Sequence, residues 1–226
     1  MITTILWDVD ATLLNFAAAE KVAIRSLFQK FGFGECTEEM LNRYSKINKA
    51  YWEKLERKEV TRPEVLEGRF RDFFATEGLD VSAAAAFNEK YQTSLGDTIV
   101  FNDDSYEIVK SFRGKVKQYV VSNGTIAAQT KKLRLSGLGE LMEGIFLSEE
   151  LGVEKPDVHF FEKVFAGIGP VDKKQVMIVG DSLTSDMQGG VNAGILTCWY
   201  NPGQQKQSDL QIDYEIRDLH EIYDLF

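Results

Sequence analysis

The chain has 226 residues, 44% of them hydrophobic, enough to bury a substantial core as one large domain or one domain carrying an insertion. A formal net charge of −9 disfavours nucleic acid and anionic membranes, both of which repel an acidic protein outside a local basic patch. No apolar run approaches the roughly 20 residues needed to span a bilayer, and the first ten residues lack the basic segment of a secretory signal.

Residues 2–7 are a short β-branched, apolar run closed by Asp8, the pattern of a buried strand. From about residue 16 to about residue 96 the periodicity is helical. Good helix formers fill 17–30, 38–58, 63–76 and 82–92, with glycine or polar breaks between them, which predicts a module of about four helices inserted after the first strand. Alternation then begins. Residues 117–121 lead into Ser122-Asn123-Gly124 and a helix over 126–135. Residues 144–147 precede Ser148 and a helix over 158–166, and 175–179 run into Gly180-Asp181 and a helix over 184–193 that Gly194 ends. The tail, 204–226, holds a weak strand pattern and a short terminal helix. Strands alternating with helices predict an α/β protein with a parallel sheet and helical crossovers. Cys36 and Cys198 match neither a disulfide framework nor a zinc spacing, and are expected to be reduced thiols in a cytoplasmic protein.

In open α/β sheets, reactive groups gather beyond the carboxyl ends of the strands. Asp8 and Asp10 follow the first strand, Ser122 and Asn123 another, and Asp181 a third, while Lys155 lies in the loop 152–157. Singly, each has an ordinary reading as a turn, a helix entrance or a cap. Together they are three carboxylates, a hydroxyl and one ammonium at neighbouring strand ends. Carboxyl oxygens with little nitrogen or sulfur nearby favour a hard ion such as Mg2+. Such an ion and a lysine can neutralise a phosphoryl group, and a carboxylate can attack it to give an aspartyl-phosphate. Two residues on, Asp10 would protonate the leaving oxygen and then activate water.

These residues, in this order, resemble the haloacid dehalogenase superfamily, whose four motifs span nearly the whole chain. In Asp8-Val9-Asp10-Ala11-Thr12-Leu13 the resemblance implies Asp8 as nucleophile and Asp10 as acid/base. It implies Ser122, with Asn123 beside it, and Lys155 as phosphate-binding groups, and Asp8, the Asp10 carbonyl and Asp181 as ligands of Mg2+. Asp186 would hold a metal-bound water or Lys155. The implied fold is a Rossmann-like parallel sheet with helices on both faces, over residues 1–15 and 98–226. The insertion, 16–97, resembles the α-helical cap of the first subclass, which closes over the site. One departure is Ala11, where the family usually has glycine; a methyl group constrains this turn, and activity is expected to survive. The segments 122–124, 129–138, 148–152, 180–187 and 199–202 further resemble bacterial 5′-nucleotidases that hydrolyse nucleoside 5′-monophosphates, often with pyrimidine bases.

Several rivals share these features. A haloacid dehalogenase expels halide, which needs no proton and leaves Asp10 without a task. A phosphonatase would need a Schiff-base lysine in the cap, where Lys46, Lys49 and Lys54 read better as solvated helix faces. A sugar-phosphate phosphatase or a phosphoglucomutase-like enzyme shares the core motifs. A non-catalytic binding module would have little need of so many clustered like charges. In the cap, Tyr44, Asn48, Tyr51 and Trp52 lie about one turn apart and, with Phe16, offer a face towards substrate, although aromatics at helical spacing are more often core. The expected partner is a small phosphorylated metabolite rather than nucleic acid or membrane, and the expected state a monomer or homodimer.

Overall fold

The computed structural model describes residues 1–205 and 209–226. The chain forms two compact units, Met1–Phe16 with Ile99–Phe226, and Ala17–Thr98.

The second unit is helical: α1 (Phe16–Lys30), α2 (Glu38–Glu56), α3 (Arg62–Glu77) and α4 (Ala84–Ser94). Local chemistry sets their ends. Thr37 Oγ1 accepts from Met40 N at the start of α2. Glu64 accepts from the Thr61 N–H at 2.7 Å in a capping box, with Pro63 in the first turn of α3. Gly78, at φ 67°, terminates α3 in a left-handed conformation that glycine adopts without a Cβ penalty. The interior is aromatic, with Phe28, Tyr44, Phe70, Phe73, Phe74, Phe87 and Tyr91 fully buried. It also holds a polar network. Glu20 accepts from Ser45 Oγ (3.0 Å), Asn48 Nδ2 (3.1 Å) and Tyr91 OH (3.1 Å), and Arg69 donates to Asn48 Oδ1 (2.8 Å) and Asn88 Oδ1 (3.0 Å).

The first unit is built on six parallel strands, β1 (Thr4–Trp7), β2 (Lys117–Ser122), β3 (Gly144–Leu147), β4 (Val176–Gly180), β5 (Leu196–Tyr200) and β6 (Tyr214–Ile216), in the order β3-β2-β1-β4-β5-β6. Its helices are α5 (Ser105–Phe112), α6 (Ile126–Ser136), α7 (Ser148–Leu151), α8 (Val158–Ile168) and α9 (Gln188–Ala193). Because β1 is covered on both faces, Ile5, Leu6 and Trp7 are apolar without alternation while their side chains still point alternately. Ile5 and Trp7 pack with Ile108 and Val109 of α5 and with Val120 and Val179 on one face. Leu6 packs with Phe160 and Phe161 of α8, Ile178 and Trp199 on the other. In register, Trp7 pairs with Val120 and with Val179, so β1, β2 and β4 end at one edge of the sheet.

The α/β class and the parallel sheet are as expected, with three elements added. The pattern did not reveal α5, whose Ile108, Val109 and Phe112 are buried behind the polar run 102–105, the single turn α7, or β5, which starts two residues after Gly194. The helix expected over 184–193 is two pieces, a π-helical turn at Leu183–Met187 and then α9. The tail contains β6 and a 3₁₀ helix at Leu219–Leu225, and Lys206, Gln207 and Ser208 within it lie outside the described residues.

Candidate active site

Asp8 is the first residue beyond β1, its N–H bonded to the carbonyl of Val179 at 2.9 Å. Its carboxylate is buried and engaged from both sides: Oδ1 accepts from Lys155 Nζ at 2.8 Å, and Oδ2 from Thr12 Oγ1 at 3.3 Å. Thr12 Oγ1 also lies 3.4 Å from Asp181 Oδ1. Lys155, 1% exposed, completes its three donor positions on Asp186 Oδ1 (2.6 Å) and the carbonyl of Val121 (2.8 Å). A phosphoryl oxygen would therefore have to share this ammonium with Asp8.

Asp186 reaches Lys155 because the chain folds tightly before it. Its Oδ2 accepts from the N–H of Ser182 at 3.1 Å, and Ser182 Oγ caps Ser185 N at 3.1 Å, which closes the π-helical turn, a form that recurs at functional sites. Gly180 permits the closure, since a Cβ there would lie 2.3 Å from Asp186 Cγ.

Asp8, Asp181 and Asp186 each place a carboxylate oxygen within 4.8 Å of the others. One ammonium faces three acids. Burial raises the Asp8 carboxyl to about 7, with Lys155 opposing and Asp186 and Asp10 reinforcing the rise. Burial, Asp8 and Asp186 likewise push Asp181 well above its ordinary range. Burial works against the Lys155 ammonium, but Asp186 and Asp8 outweigh it and raise its pKa. This cation deficit, together with an all-oxygen donor set, fits a hard divalent ion. Asp8 and Asp181 would hold it, while Asp186 is committed to Lys155.

Asp10 lies on the turn that follows. Ala11 adopts φ 68°, its N–H donates to the carbonyl of Leu14 at 2.8 Å, and Leu14 N donates to Val9 O at 2.9 Å. Asn102 Nδ2 and Ser105 Oγ, at the start of α5, bind the carbonyls of Thr12 (2.9 Å) and Leu13 (2.6 Å) and fix the turn. The Asp10 carboxylate accepts from two residues of α6, Gln129 Nε2 at 2.6 Å on Oδ2 and Lys132 Nζ on Oδ1. Sequence reasoning gave neither residue a role at the site, because polar residues at mid-helix ordinarily read as a solvated face.

Ser122 is buried, and its Oγ accepts from Gly124 N at 3.0 Å. The side chain of Asn123 is engaged with the main chain of Lys155, accepting from its N–H and donating to its carbonyl at 2.9 Å each, and donates to Ser185 Oγ at 3.3 Å. Two cap expectations are corrected. Tyr44 is fully buried, stacked on Phe70 at 4.8 Å, and Asn48 is buried between Glu20 and Arg69; neither presents a face to solvent. Both serve the interior because a substrate face cannot also fill an aromatic core. Tyr51 and Trp52 are half-buried, with Tyr51 OH donating to Asp72 at 2.7 Å and Arg62 over the Trp52 ring at 5.8 Å. Phe16 is half-buried with Lys132 Nζ 5.2 Å from its ring centre.

Comparison with known proteins agrees with this geometry. Residues 5–200 match the family model described as haloacid dehalogenase-like hydrolase. The chain is 36% identical over 221 residues to the HAD-hydrolase YfnB of Bacillus subtilis, covering 97% of this chain and 93% of that protein. A crystal structure of YfnB bound to magnesium, described as revealing interdomain movement, superposes with a TM-score of 0.93 at 35% identity, over 99% of this chain and 98% of that one. Pyrimidine 5′-nucleotidase PynA of Streptococcus pneumoniae is 35% identical over 97% of this chain and 93% of its own length. Pyrimidine 5′-nucleotidase YjjG of Escherichia coli is 28% identical over 98% and 96%. With matches of this extent laid over a carboxylate cluster at the edge of a parallel sheet, the chain belongs to the haloacid dehalogenase-like hydrolases.

Proposed function

We propose that the chain is a phosphatase that hydrolyses nucleoside 5′-monophosphates, a 5′-nucleotidase, through an aspartyl-phosphate on Asp8. One observation carries the reading: Asp8 is gripped by Lys155 and lies among more carboxylates than that lysine can neutralise, at the end of the central strand. That arrangement suits a cation and a phosphoryl group entering together. Two full-length relatives named pyrimidine 5′-nucleotidases support a nucleotide leaving group.

In the first step an Asp8 oxygen bonds to phosphorus while the bond from phosphorus to the ester oxygen breaks, and Asp10 gives that oxygen its proton. In the second, Asp10 takes a proton from water, the water oxygen bonds to phosphorus, and the bond to Asp8 breaks, releasing phosphate. Mg2+, when bound by Asp8, the Asp10 carbonyl and Asp181, would screen the charge on the phosphoryl oxygens. Ser122, Asn123 and Lys155 would receive those oxygens, and Asp186 keeps Lys155 in position. Asp10 separates this chemistry from dehalogenation, which has no leaving group to protonate. Among the described residues no helix is long and apolar enough to cross a membrane, and Cys36 and Cys198 are buried free thiols, which supports a cytoplasmic site of action.

The test is phosphate release from a panel of nucleoside monophosphates, sugar phosphates and other small monoesters, with Mg2+ and with chelator, by wild type and Asp8→Asn. Release from nucleotides that needs both Mg2+ and Asp8 is the expected result. No release from any ester, or full activity in Asp8→Asn, overturns it; preference for sugar phosphates replaces the substrate alone.

A further inference from the structure

Both carboxylate oxygens of Asp10 are occupied from one side, by donors one turn apart on α6. Lys132 is 2% exposed and Gln129 is fully buried, whereas the Asp10 side chain keeps 25% of its surface accessible. An ammonium so buried is costly unless a carboxylate faces it, and here the partner is Asp10, with the Phe16 ring 5.2 Å away on the same cation. Gln129 reaches Asp10 only because residue 124 is glycine: a Cβ there would lie 2.2 Å from Gln129 Nε2. The Ser122-Asn123-Gly124 turn, at the phosphoryl end of the site, thus also admits the donor that holds Asp10.

We propose that Gln129 and Lys132 are positioning residues that fix the Asp10 carboxyl where it meets the ester oxygen of the substrate. This rests on the phosphatase reading and deepens it. A carboxyl on an isolated turn would sample several rotamers, and proton transfer in the transition state needs one. Two donors spaced by three residues on a helix anchored in the core remove that freedom. Neither residue touches phosphorus; both act through Asp10. Their effect therefore grows with how much the leaving oxygen needs its proton.

The experiment measures kcat/KM for a series of substituted phenyl phosphates of graded leaving-group acidity, using the full-length chain with saturating Mg2+, for wild type, Lys132→Met, Lys132→Arg and Gln129→Met. Thermal unfolding of each variant confirms folding, and Gln129→Met carries the comparison should Lys132→Met not fold. The expected result is a loss of about 10- to 100-fold for phenyl phosphate and less than about 3-fold for p-nitrophenyl phosphate in the methionine variants, a share of the full acid–base factor. The dependence on leaving-group acidity steepens accordingly, and Lys132→Arg restores it. An equal loss across the series, or none, overturns the positioning role while leaving the phosphatase reading intact. Wild type inactive on every ester, or Asp8→Asn fully active, would instead fell the phosphatase reading itself.

Discussion

Asn123 holds Lys155 at both ends of one residue, Oδ1 accepting from its N–H and Nδ2 donating to its carbonyl, each at 2.9 Å. The lysine that pairs with Asp8 is thus set by a side chain from the turn that follows β2. Asn123→Ala should lower kcat by about 10-fold or more and cost about 1–3 kcal/mol of stability, the range for stranding buried polar groups. Steady-state kinetics and denaturant unfolding measure both, and an unchanged kcat would refute the dependence.

Ala11 carries φ 68°. A left-handed alanine costs about 1–2 kcal/mol, whereas glycine there adds about 0.4–1 kcal/mol of unfolded-state entropy. The first term is larger, so Ala11→Gly should stabilise the protein by up to about 1.6 kcal/mol with activity kept or improved. A lower urea midpoint in the glycine variant would show that the turn is not strained by its methyl group.

Three acids within 4.8 Å facing one ammonium should make the protein respond to divalent ions. Mg2+ at about 100 times its dissociation constant should add about 2.7 kcal/mol to stability by mass action, and chelator should remove it. Asp181→Asn should abolish that response and, by relieving like-charge repulsion, unfold at a higher temperature than wild type in chelator. A Tm insensitive to Mg2+ would contradict the cation deficit.

Glu20 is pushed above its ordinary 4.5 by burial, which outweighs its hydrogen bonds from Ser45, Tyr91 and Asn48 and the attraction of Arg69. The folded chain then holds this proton where the unfolded chain has released it. Glu20's contribution is full below pH 4.5 and is lost as pH rises through the folded value. Glu20→Gln should flatten the fall in stability above pH 4.5, read as the difference between the two stability–pH curves. Parallel curves would show that Glu20 titrates normally.

Gly180 leaves no room for a side chain beside Asp186. Gly180→Ala should displace the π-helical turn, loosen Lys155 and depress kcat by at least about 10-fold while KM changes less. A variant with wild-type kinetics would mean that the turn can shift at no cost to the lysine.

Much of the fold was legible because it depends on local patterns. The apolar, β-branched run before Asp8 has the pattern of a buried strand, and the helical periodicity of 17–92 marked the insertion. Helix α5 was hidden because its entrance, Asn102 to Ser105, is polar and reads as loop, whereas Asn102 and Ser105 hold the turn after Asp10. Of the site, the strand-end acids and Lys155 could be named from the sequence. Gln129 and Lys132 could not be given a role, since only the packing of α6 against Gly124 and Phe16 turns their positions inward. That Asn123 also braces the main chain of Lys155 is invisible in the sequence, which shows a polar side chain near a strand end without showing which groups it meets.

The hydrogen-bond partners of Glu20 and Arg69 in this network, Ser45, Asn48, Asn88 and Tyr91, all belong to the helical insertion. Its interior is therefore a self-sufficient inheritance. Such a unit can be reshaped or lengthened by mutation while its buried polar groups keep their partners, and the sheet, whose own strands hold the acids in register, does not depend on that network.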